Sequence, residues 1–230
     1  MKIAFLSDLH IGAPTVTLAR LRGIVRETNA HRPDLILQGG DYVVQNVLGG
    51  NPVAPALIFA ALNRLRARLG VFAVMGNHDW WHGYDDIIAD FQNHSPNIRL
   101  LEDSEIGLSH NERRFRLMGI TDFDEGPNRY GRVLADGDDR FILAFTHSPD
   151  VFPELSRRIG LTLAGHTHGG QVYIPFVGRP VVPSIYGARY ALGRVDEDGR
   201  TLFVSAGIGT SIIGARFLTP PEVNILTLLP

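Results

Sequence analysis

The sequence predicts a layered domain of the α/β or α+β class. In its first half, strand-like apolar runs alternate with helix-like segments, and in its second half strands predominate. The 230 residues, of which 44% are apolar and 20% charged, are typical of an ordinary globular chain with a substantial core. Because no repeat, low-complexity tract or linker divides the chain, we expect one domain over residues 1–230.

Apolar periodicity assigns the individual elements. Leu18, Leu21 and Val25 recur at helical spacing, whereas short apolar runs that end in glycine or polar residues are typical of strands. In the first half we predict strands at 2–6, 35–37 and 71–75, and helices at 15–30, 55–69 and 85–92. In the second half we predict strands at 114–119, 141–145, 161–164, 172–174, 201–204 and 223–228.

Composition excludes several classes of chemistry. The absence of Cys rules out disulfides, thiolate metal ligands and a cysteine nucleophile. The single lysine, Lys2, rules out a P-loop lysine. A net charge of −2 and a pI of about 6.5 give no electrostatic reason to expect nucleic acid as a partner.

The sequence also bears on where the protein works. No stretch reaches the roughly eighteen consecutive apolar residues that a membrane span needs. The first ten residues have too short an apolar part for a cleaved signal peptide, and they are typical of a strand that runs into polar residues. We therefore expect the protein in the cytoplasm.

Five apolar runs end in the same way, with a small residue followed by a side chain that can bind a metal. In open α/β sheets the carboxyl ends of the strands line the ligand crevice, so these five ends are expected to converge on one site. Small residues there let the backbone come close to an ion or a phosphate. The side chains at the five ends are Asp8 and His10, Asp41, Asn77 and His78, His147, and His166 and His168.

Each motif taken alone has an ordinary structural interpretation. An Asp-x-His pair arises by chance, Gly-Asp is common in turns, and a lone His147 would most often be a hydrogen-bonded structural residue. The strongest single motif is 165–170, because two histidines one residue apart between glycines have little structural rationale. The five motifs together favour a functional site.

The donor types in this set indicate a metal centre. Apart from His78, the set holds two Asp, one Asn and four His, and it contains no thiolate. Such a set suits Mn, Fe, Zn, Ni or Co and is too rich in nitrogen for Ca. Seven donors exceed what one ion takes, whereas two ions that share a carboxylate use them all and fit two-metal hydrolysis of phosphate esters.

In their order and residue types, the five motifs resemble the signature of calcineurin-like metallophosphoesterases, over residues 8–168. The continuation at 169–171 and the later segment 205–210 resemble one branch of that family. This branch contains bacterial predicted phosphodiesterases and a type of UDP-2,3-diacylglucosamine hydrolase. The resemblance implies a sandwich of two mixed β-sheets flanked by helices.

The resemblance also implies a role for each residue of the set. Asp8, His10 and His168 would hold one divalent ion, Asn77, His147 and His166 would hold a second, and Asp41 would bridge the two. We expect Mn first, with Fe, Zn, Ni or Co as alternatives. A hydroxide between the ions would attack phosphorus in line.

Two residues next to these ligands are implied to act without binding metal. His78 would stabilise charge on the phosphoryl oxygens or protonate the leaving oxygen. Asp79 would orient an imidazole from outside the ligand set.

Aromatic and apolar residues near the motifs bear on the substrate. Trp80 and Trp81 follow His78 directly, and they form either a core pair or an aromatic wall beside the site. Phe59 lies in the apolar stretch 53–62, and Phe176 lies in a second one, 172–186. Each stretch is either packed on the core or forms a hydrophobic rim that receives an acyl chain or touches a membrane surface.

We therefore expect a di-metal phosphohydrolase that cleaves a phosphodiester or pyrophosphate bond. The expected substrate is a small molecule, plausibly an amphiphilic one that is lipid-linked or a nucleotide sugar. The alternative within enzymes is a phosphodiesterase or phosphatase of soluble nucleotides. A metal-free scaffold for protein partners is the alternative from another class. The apolar stretches leave open a peripheral contact with the inner face of the membrane.

Overall fold

Two mixed β-sheets form the centre of the molecule, for which a computed structural model describes residues 1–45, 47–127 and 138–229. The strands are β1 (Lys2–Leu6), β2 (Leu35–Gln38), β3 (Val71–Ala73), β4 (Ile98–Leu100), β5 (Ser104–His110), β6 (Arg113–Gly119), β7 (Ile142–Phe145), β8 (Ile159–Ala164), β9 (Gly193–Glu197), β10 (Arg200–Val204) and β11 (Asn224–Thr227). The helices are α1 (Leu18–Ala30), α2 (Pro55–Leu62) and α3 (Asn77–His94).

The first sheet has the strand order β11-β1-β2-β3-β4, and the second has the order β5-β6-β7-β8-β10-β9. In the first sheet, β1 to β4 run parallel and β11 is antiparallel to β1. In the second, β6, β7, β8 and β10 run parallel, with an antiparallel strand at each edge. The expected pair of mixed sheets is therefore confirmed.

Alternating side chains on the strands build the layers, because successive residues of a strand point to opposite faces of the sheet. Phe5 and Leu37 of the first sheet pack with Leu117 and Phe145 of the second, and this cluster is the core between the sheets. The opposite face of the first sheet packs against all three helices. The opposite face of the second sheet is covered by short 3₁₀ turns around Phe152.

Helix α1, predicted at 15–30, begins at Leu18, and the other two helices differ more from the sequence prediction. The predicted helix 55–69 ends at Leu62. The Asn29 side chain accepts the Arg66 N–H over 2.8 Å and donates to the Arg64 carbonyl over 2.9 Å, so a distant residue takes up the backbone groups that a longer helix would pair. The helix predicted at 85–92 begins earlier, at Asn77, and it continues past a non-helical Gly83 with φ 121°.

Several strand predictions were incomplete. Residues 172–174 do not form a strand, and only isolated bridges join Val172 to Phe217 and Ile174 to Gly178. The prediction missed β4, β5 and β9. β5 and β9 lie at the edges of the second sheet and carry exposed polar residues, so their apolar pattern is weak.

None of the helices that the structure describes combines the length and the apolar character needed to cross a lipid bilayer.

Candidate metal centre

The loops that follow β1, β2, β3, β7 and β8 meet at one edge of the sandwich. The backbone N–H of Asp8 donates to the carbonyl of Gly40 over 3.0 Å, and that of His10 donates to the carbonyl of Asp41 over 2.9 Å. The His166 N–H donates to the Asp8 carboxylate over 2.9 Å. These bonds tie loops from both sheets together, so side chains far apart in sequence lie side by side.

One group of donors consists of Asp8, His10, Asp41 and His168. All four are buried, and their ligand atoms lie within 4.8 Å of one another. Nε2 of His10 lies 3.3 Å from Oδ2 of Asp41 and 3.1 Å from Nε2 of His168. Nε2 of His168 lies 3.6 Å from Oδ1 of Asp8.

A second group of donors adjoins the first. Oδ1 of Asn77 lies 3.0 Å from Nε2 of His147 and 3.1 Å from Nδ1 of His166. Nε2 of His147 lies 3.4 Å from Oδ2 of Asp41, the same oxygen that faces His10. The other Asp41 oxygen, Oδ1, accepts the backbone N–H of His78 over 2.9 Å. Asp41 is therefore held through one oxygen and offers the other to both groups.

The hydrogen bonds of His10 and His147 indicate whether the ligand atoms of this centre suit a cation. Nδ1 of His10 donates to the carbonyl of Val43 over 3.2 Å, and Nδ1 of His147 donates to the carbonyl of Gly39 over 2.7 Å. A neutral imidazole that donates through Nδ1 carries a lone pair on Nε2. In both residues Nε2 faces Oδ2 of Asp41, and although burial lowers the pKa of each imidazole, Asp41 raises it above its usual value, so the pocket favours a positive charge between these atoms. Electron-rich atoms that converge in this way, with a backbone carbonyl fixing each ring, are typical of a metal site.

Burial and neighbouring charges shift the pKa values in the centre. Burial opposes ionisation of Asp41, yet the imidazoles of His147 and His10 hold the pKa of Asp41 well below its usual value. Burial lowers the pKa of His78 to about 4, so this imidazole is neutral at pH 7. Burial and the charge of Asp41 raise the pKa of Asp79 to about 7, against the effect of its backbone N–H donors.

The backbone at the strand ends is strained. Five donor residues have φ in the left-handed region, which is uncommon for residues other than glycine and costs on the order of 1 kcal/mol or more each. Where such outliers cluster, the surrounding structure holds them in place, and here they turn the donor side chains towards one point. The residues are Asp8 (54°), His10 (41°), Asp41 (57°), His166 (69°) and His168 (52°).

The comparison with known families decides what this centre belongs to. The family model for calcineurin-like phosphoesterases matches residues 1–170. The chain belongs to the calcineurin-like phosphoesterase family. Together with the buried Asp and His cluster, membership makes it a metal-dependent phosphoesterase with a divalent metal centre.

Relatives of this calcineurin-like phosphoesterase agree with the assignment. Phosphodiesterase YaeI of Escherichia coli is 32% identical over 236 residues, which are 99% of this chain and 82% of YaeI. The uncharacterized metallophosphoesterase YkuE of Bacillus subtilis is 28% identical over 243 residues, which are 99% of this chain and 78% of YkuE.

Solved structures show the same fold at low sequence identity. The NAD nucleotidase NadN of Haemophilus influenzae matches with a TM-score of 0.57 and 13% identity, over 92% of this chain and 45% of NadN. The sulfate thiohydrolase SoxB of Thermus thermophilus matches with a TM-score of 0.57 and 10% identity, over 97% of this chain and 55% of SoxB. The chain spans about half the length of each, and both matches concern the fold alone.

The aromatic candidates occupy different environments. Phe59 is fully buried, with its ring between Tyr42 and Phe91 at 5.3 Å from each, so it is a core residue and does not face a substrate. The reason is that α2 packs this side against α3 and the first sheet. Trp80 is stacked on Tyr84 and is partly buried against the same core.

The other two aromatic candidates are exposed. The ring of Trp81 lies 4.9 Å from that of His78 and is 56% exposed. Its indole N–H donates to Glu125 over 2.7 Å. Phe176 is fully exposed at the tip of a loop.

Asp79 differs from its expected role. Among the described residues its carboxylate is hydrogen-bonded to backbone and to no imidazole: it accepts the N–H groups of Asp41 over 2.8 Å, Tyr42 over 2.9 Å, Gly76 over 2.9 Å and Val43 over 3.4 Å. Asp79 therefore fixes the main chain on both sides of the Asp41 loop instead of orienting a ring.

The sequence prediction missed two residues beside the centre. Asp122 is fully buried, and the charges of His147 and His166 act on it. Asp122 comes shortly after β6, as Asp8 comes after β1 and Asp41 after β2. A search for acidic residues that follow strands would therefore have found it. Arg216 donates to the carbonyls of His168 over 3.1 Å and Gly209 over 2.6 Å. No motif in the sequence pointed to this arginine.

Proposed function

We propose that this phosphoesterase cleaves a phosphodiester or pyrophosphate bond at a centre of two divalent cations. In this proposal Asp8, His10 and His168 hold one cation, Asn77, His147 and His166 hold the other, and Asp41 bridges them. The observation that carries the proposal is the position of Asp41 Oδ2, 3.3 Å from Nε2 of His10 and 3.4 Å from Nε2 of His147.

The donor set supports manganese or a similar metal. Imidazole, carboxylate and amide donors without thiolate suit Mn, Fe, Zn, Ni or Co. When bound, such a pair of ions supplies Lewis acidity and a nucleophile from water at neutral pH. The chain itself supplies the fixed donors, because Asp79 and the backbone carbonyls of Val43 and Gly39 hold the Asp41 loop and the two imidazoles in place.

His78 is positioned to bind the phosphoryl group. Its ring lies 4.7 Å from that of His10, so it adjoins the centre. Its Nε2 lies 3.4 Å from the hydroxyl of Ser211, and its Nδ1 is buried without a hydrogen-bond partner among the described residues. A neutral imidazole can donate one hydrogen bond, and we assign that bond to a phosphoryl oxygen.

Exposed apolar side chains in the loop that follows His168 support an amphiphilic substrate, either lipid-linked or a nucleotide sugar. Phe176 and Val177 are 106% and 70% exposed, although exposed apolar area costs about 25 cal/mol per Å² relative to burial. The alternative is a soluble nucleotide, and Trp81 favours it, because a half-exposed indole next to His78 can stack on a base.

A metal and substrate panel tests the proposal. Purified protein is analysed for metal, stripped with a chelator and assayed with added Mn²⁺ on bis-p-nitrophenyl phosphate, p-nitrophenyl phosphate, a nucleotide-sugar pyrophosphate and a lysophospholipid series. We expect two ions per chain and hydrolysis of the diester or the pyrophosphate. Activity on the monoester alone, or equal activity without metal, would contradict the proposal.

The lysophospholipid series separates the two substrate classes. Each acyl CH₂ that leaves water contributes at most about 0.8 kcal/mol, so kcat/KM should rise with chain length by up to about fourfold per CH₂. A series without any trend, together with turnover of nucleotides, would establish the soluble alternative.

A further inference from the structure

Six exposed apolar side chains come from three loops of the same edge. Each of them is at least 46% exposed, and Phe176 and Leu48 are 106% and 82% exposed. We call this set the apolar rim: Leu48, Phe176, Val177, Ile212, Ile213 and Leu218. Isolated exposed apolar residues are normal, whereas several on adjoining loops form a patch of the kind that marks an interaction surface.

Hydrogen bonds join the three loops into one surface. The backbone N–H of Leu48 donates to the carbonyl of Ile212 over 3.3 Å. The Gln171 side chain donates to the carbonyl of Ser211 over 2.9 Å, and the backbone N–H of Tyr173 donates to the carbonyl of Phe217 over 2.8 Å. The rim residues either make these bonds or lie within a few residues of them in the sequence. The three loops therefore form one continuous edge.

This edge adjoins the metal centre. Ser211, next to Ile212, has its hydroxyl 3.4 Å from Nε2 of His78. Arg216, two residues before Leu218, donates to the carbonyl of His168. The rim therefore lies next to residues that contact the metal centre.

The loops that carry the rim contain arginines and no acidic residue. None of the 24 Asp and Glu residues lies in 42–78, 155–195 or 199–221, the segments that contain all six rim residues. Arg179 and Arg216 belong to the same loops, and no carboxylate is within ion-pair distance of either among the described residues. The guanidinium of Arg179 lies 5.0 Å from the centre of the Tyr173 ring, beside the Phe176 loop.

The backbone under the rim is costly for such side chains. Phe176, Ile212 and Leu218 have φ of 68°, 63° and 51°, in the left-handed region where glycine and asparagine are favoured. An exposed apolar side chain buries little surface, so it does not offset the energetic cost of this backbone conformation. Strain together with exposure is typical of residues kept for contact with something outside the chain.

We infer that the apolar rim docks on the surface of an anionic phospholipid bilayer, with the rim side chains in the acyl boundary and Arg179 at the headgroups. Apolar contact combined with Arg179, on loops whose sequence has no acidic residue, complements such a surface. A second copy of the chain fits less well, because a symmetric contact would join two loop faces that each carry arginine and no acidic residue to pair with it. The inference goes beyond the proposed function, since docking requires no turnover.

Vesicle binding tests the inference with the complete chain. We measure sedimentation with phosphatidylcholine vesicles and with vesicles that also contain phosphatidylglycerol. We expect binding to the anionic vesicles, and a loss of about tenfold for each of Phe176→Ser and Ile212→Ser, the range for an apolar side chain that stays in water. Arg179→Glu should weaken anionic binding by more than about fivefold, since each arginine near such a surface contributes about that factor.

Matched controls use the opposite end of the molecule. Leu229 is 82% exposed beside Met1, at the end of β1 away from Asp8, and Arg32 is exposed at the end of α1 near Lys2. Leu229→Ser and Arg32→Glu should bind anionic vesicles as the wild type does. Circular dichroism melting of each variant verifies that it is folded.

Three results would overturn the inference: no binding of the wild type to anionic vesicles, equal binding to neutral ones, or control variants that bind as weakly as the rim variants. A wild-type dimer in light scattering that Phe176→Ser converts to a monomer would identify a second copy as the occupant and overturn it as well. Hydrolysis of the soluble diester by the wild type without vesicles tests the proposed function separately. Either one can therefore fail while the other stands.

Discussion

The carboxylate of Asp79 accepts the backbone N–H of Asp41 over 2.8 Å, so one buried acid holds the main chain of another. Asp79 also accepts the N–H groups of Tyr42 and Gly76. Both residues are at most 1% exposed, and the bond between them runs from the main chain of Asp41 to the side chain of Asp79. This relationship means that the geometry of the metal centre depends on a residue that offers no atom to the metal.

Replacement of Asp79 by Ala should therefore affect stability and metal binding together. It leaves at least three buried N–H groups without a partner, at about 1–3 kcal/mol each, so the free energy of unfolding should fall by about 3 kcal/mol or more. Metal affinity should fall about 10–100-fold. Urea unfolding in chelator and a metal titration measure the two effects. Asp86→Ala, an exposed acid of the same helix, is the control and should change neither.

Replacement of Asp41 by Asn should lower occupancy at both ions. The lost negative charge lies beside both His10 and His147, whereas His10→Ala removes a donor from one group only. Elemental analysis of the purified variants should give a larger loss for Asp41→Asn than for His10→Ala. If the Asp41→Asn protein still held two ions per chain, the proposal that Asp41 bridges the ions would be contradicted.

Replacement of His78 by Ala should lower turnover and leave the metal content unchanged. Because the imidazole is neutral at pH 7, we expect it to donate a hydrogen bond to a phosphoryl oxygen, and loss of such a donor costs about 10²–10³ in kcat. The fall should be equal for nitrophenyl and alkyl leaving groups. A much larger fall with the alkyl group would instead show that His78 protonates the leaving oxygen.

Two glycines together test whether the backbone must pass close to the side chains of the metal centre. A Cβ at Gly165 would overlap the Ser7 hydroxyl and lie 2.5 Å from Oδ2 of Asp8, so Gly165→Ala should displace Asp8 and weaken metal binding. A Cβ at Gly23 in α1 would meet only the end of the Arg26 side chain, at 3.8 Å. Gly23→Ala should raise stability by about 0.5–1 kcal/mol and leave metal binding unchanged. Equal metal affinity in both variants would contradict the argument.

The candidate site could be read from the sequence because its donors follow strands directly. Asp8 and Asp41 each come within a few residues of a buried apolar run, and parallel strands bring such positions to one edge. Asp122 also follows a strand, β6, but it belongs to none of the five motifs and the sequence prediction therefore lacks it. Arg216 could not be found, because its role rests on backbone carbonyls that only the folded chain brings together.

The ends of the helices were less predictable than the strands. α2 stops at Leu62 although Leu65 continues its apolar spacing, because Asn29 and Asn97 bond to the residues that follow. These contacts span more than thirty residues and leave no local signal. The sequence predicts Phe59 near the substrate because the stretch 53–62 follows the motif with Asp41. In the structure Phe59 lies on the inner face of α2 and is therefore buried in the core.

The pairing of β1 with β11 determines when the molecule can be completed during translation. The terminal amine of Met1 donates to the carbonyl of Leu228, 227 residues away, and β1 has no neighbour on that side until β11 is made. The loop with Arg216, which holds the backbone of His168, comes just before β11. A nascent chain in which residues 216–227 have not yet been made therefore exposes an open sheet edge and an unsupported metal loop, and both features favour aggregation and chaperone binding.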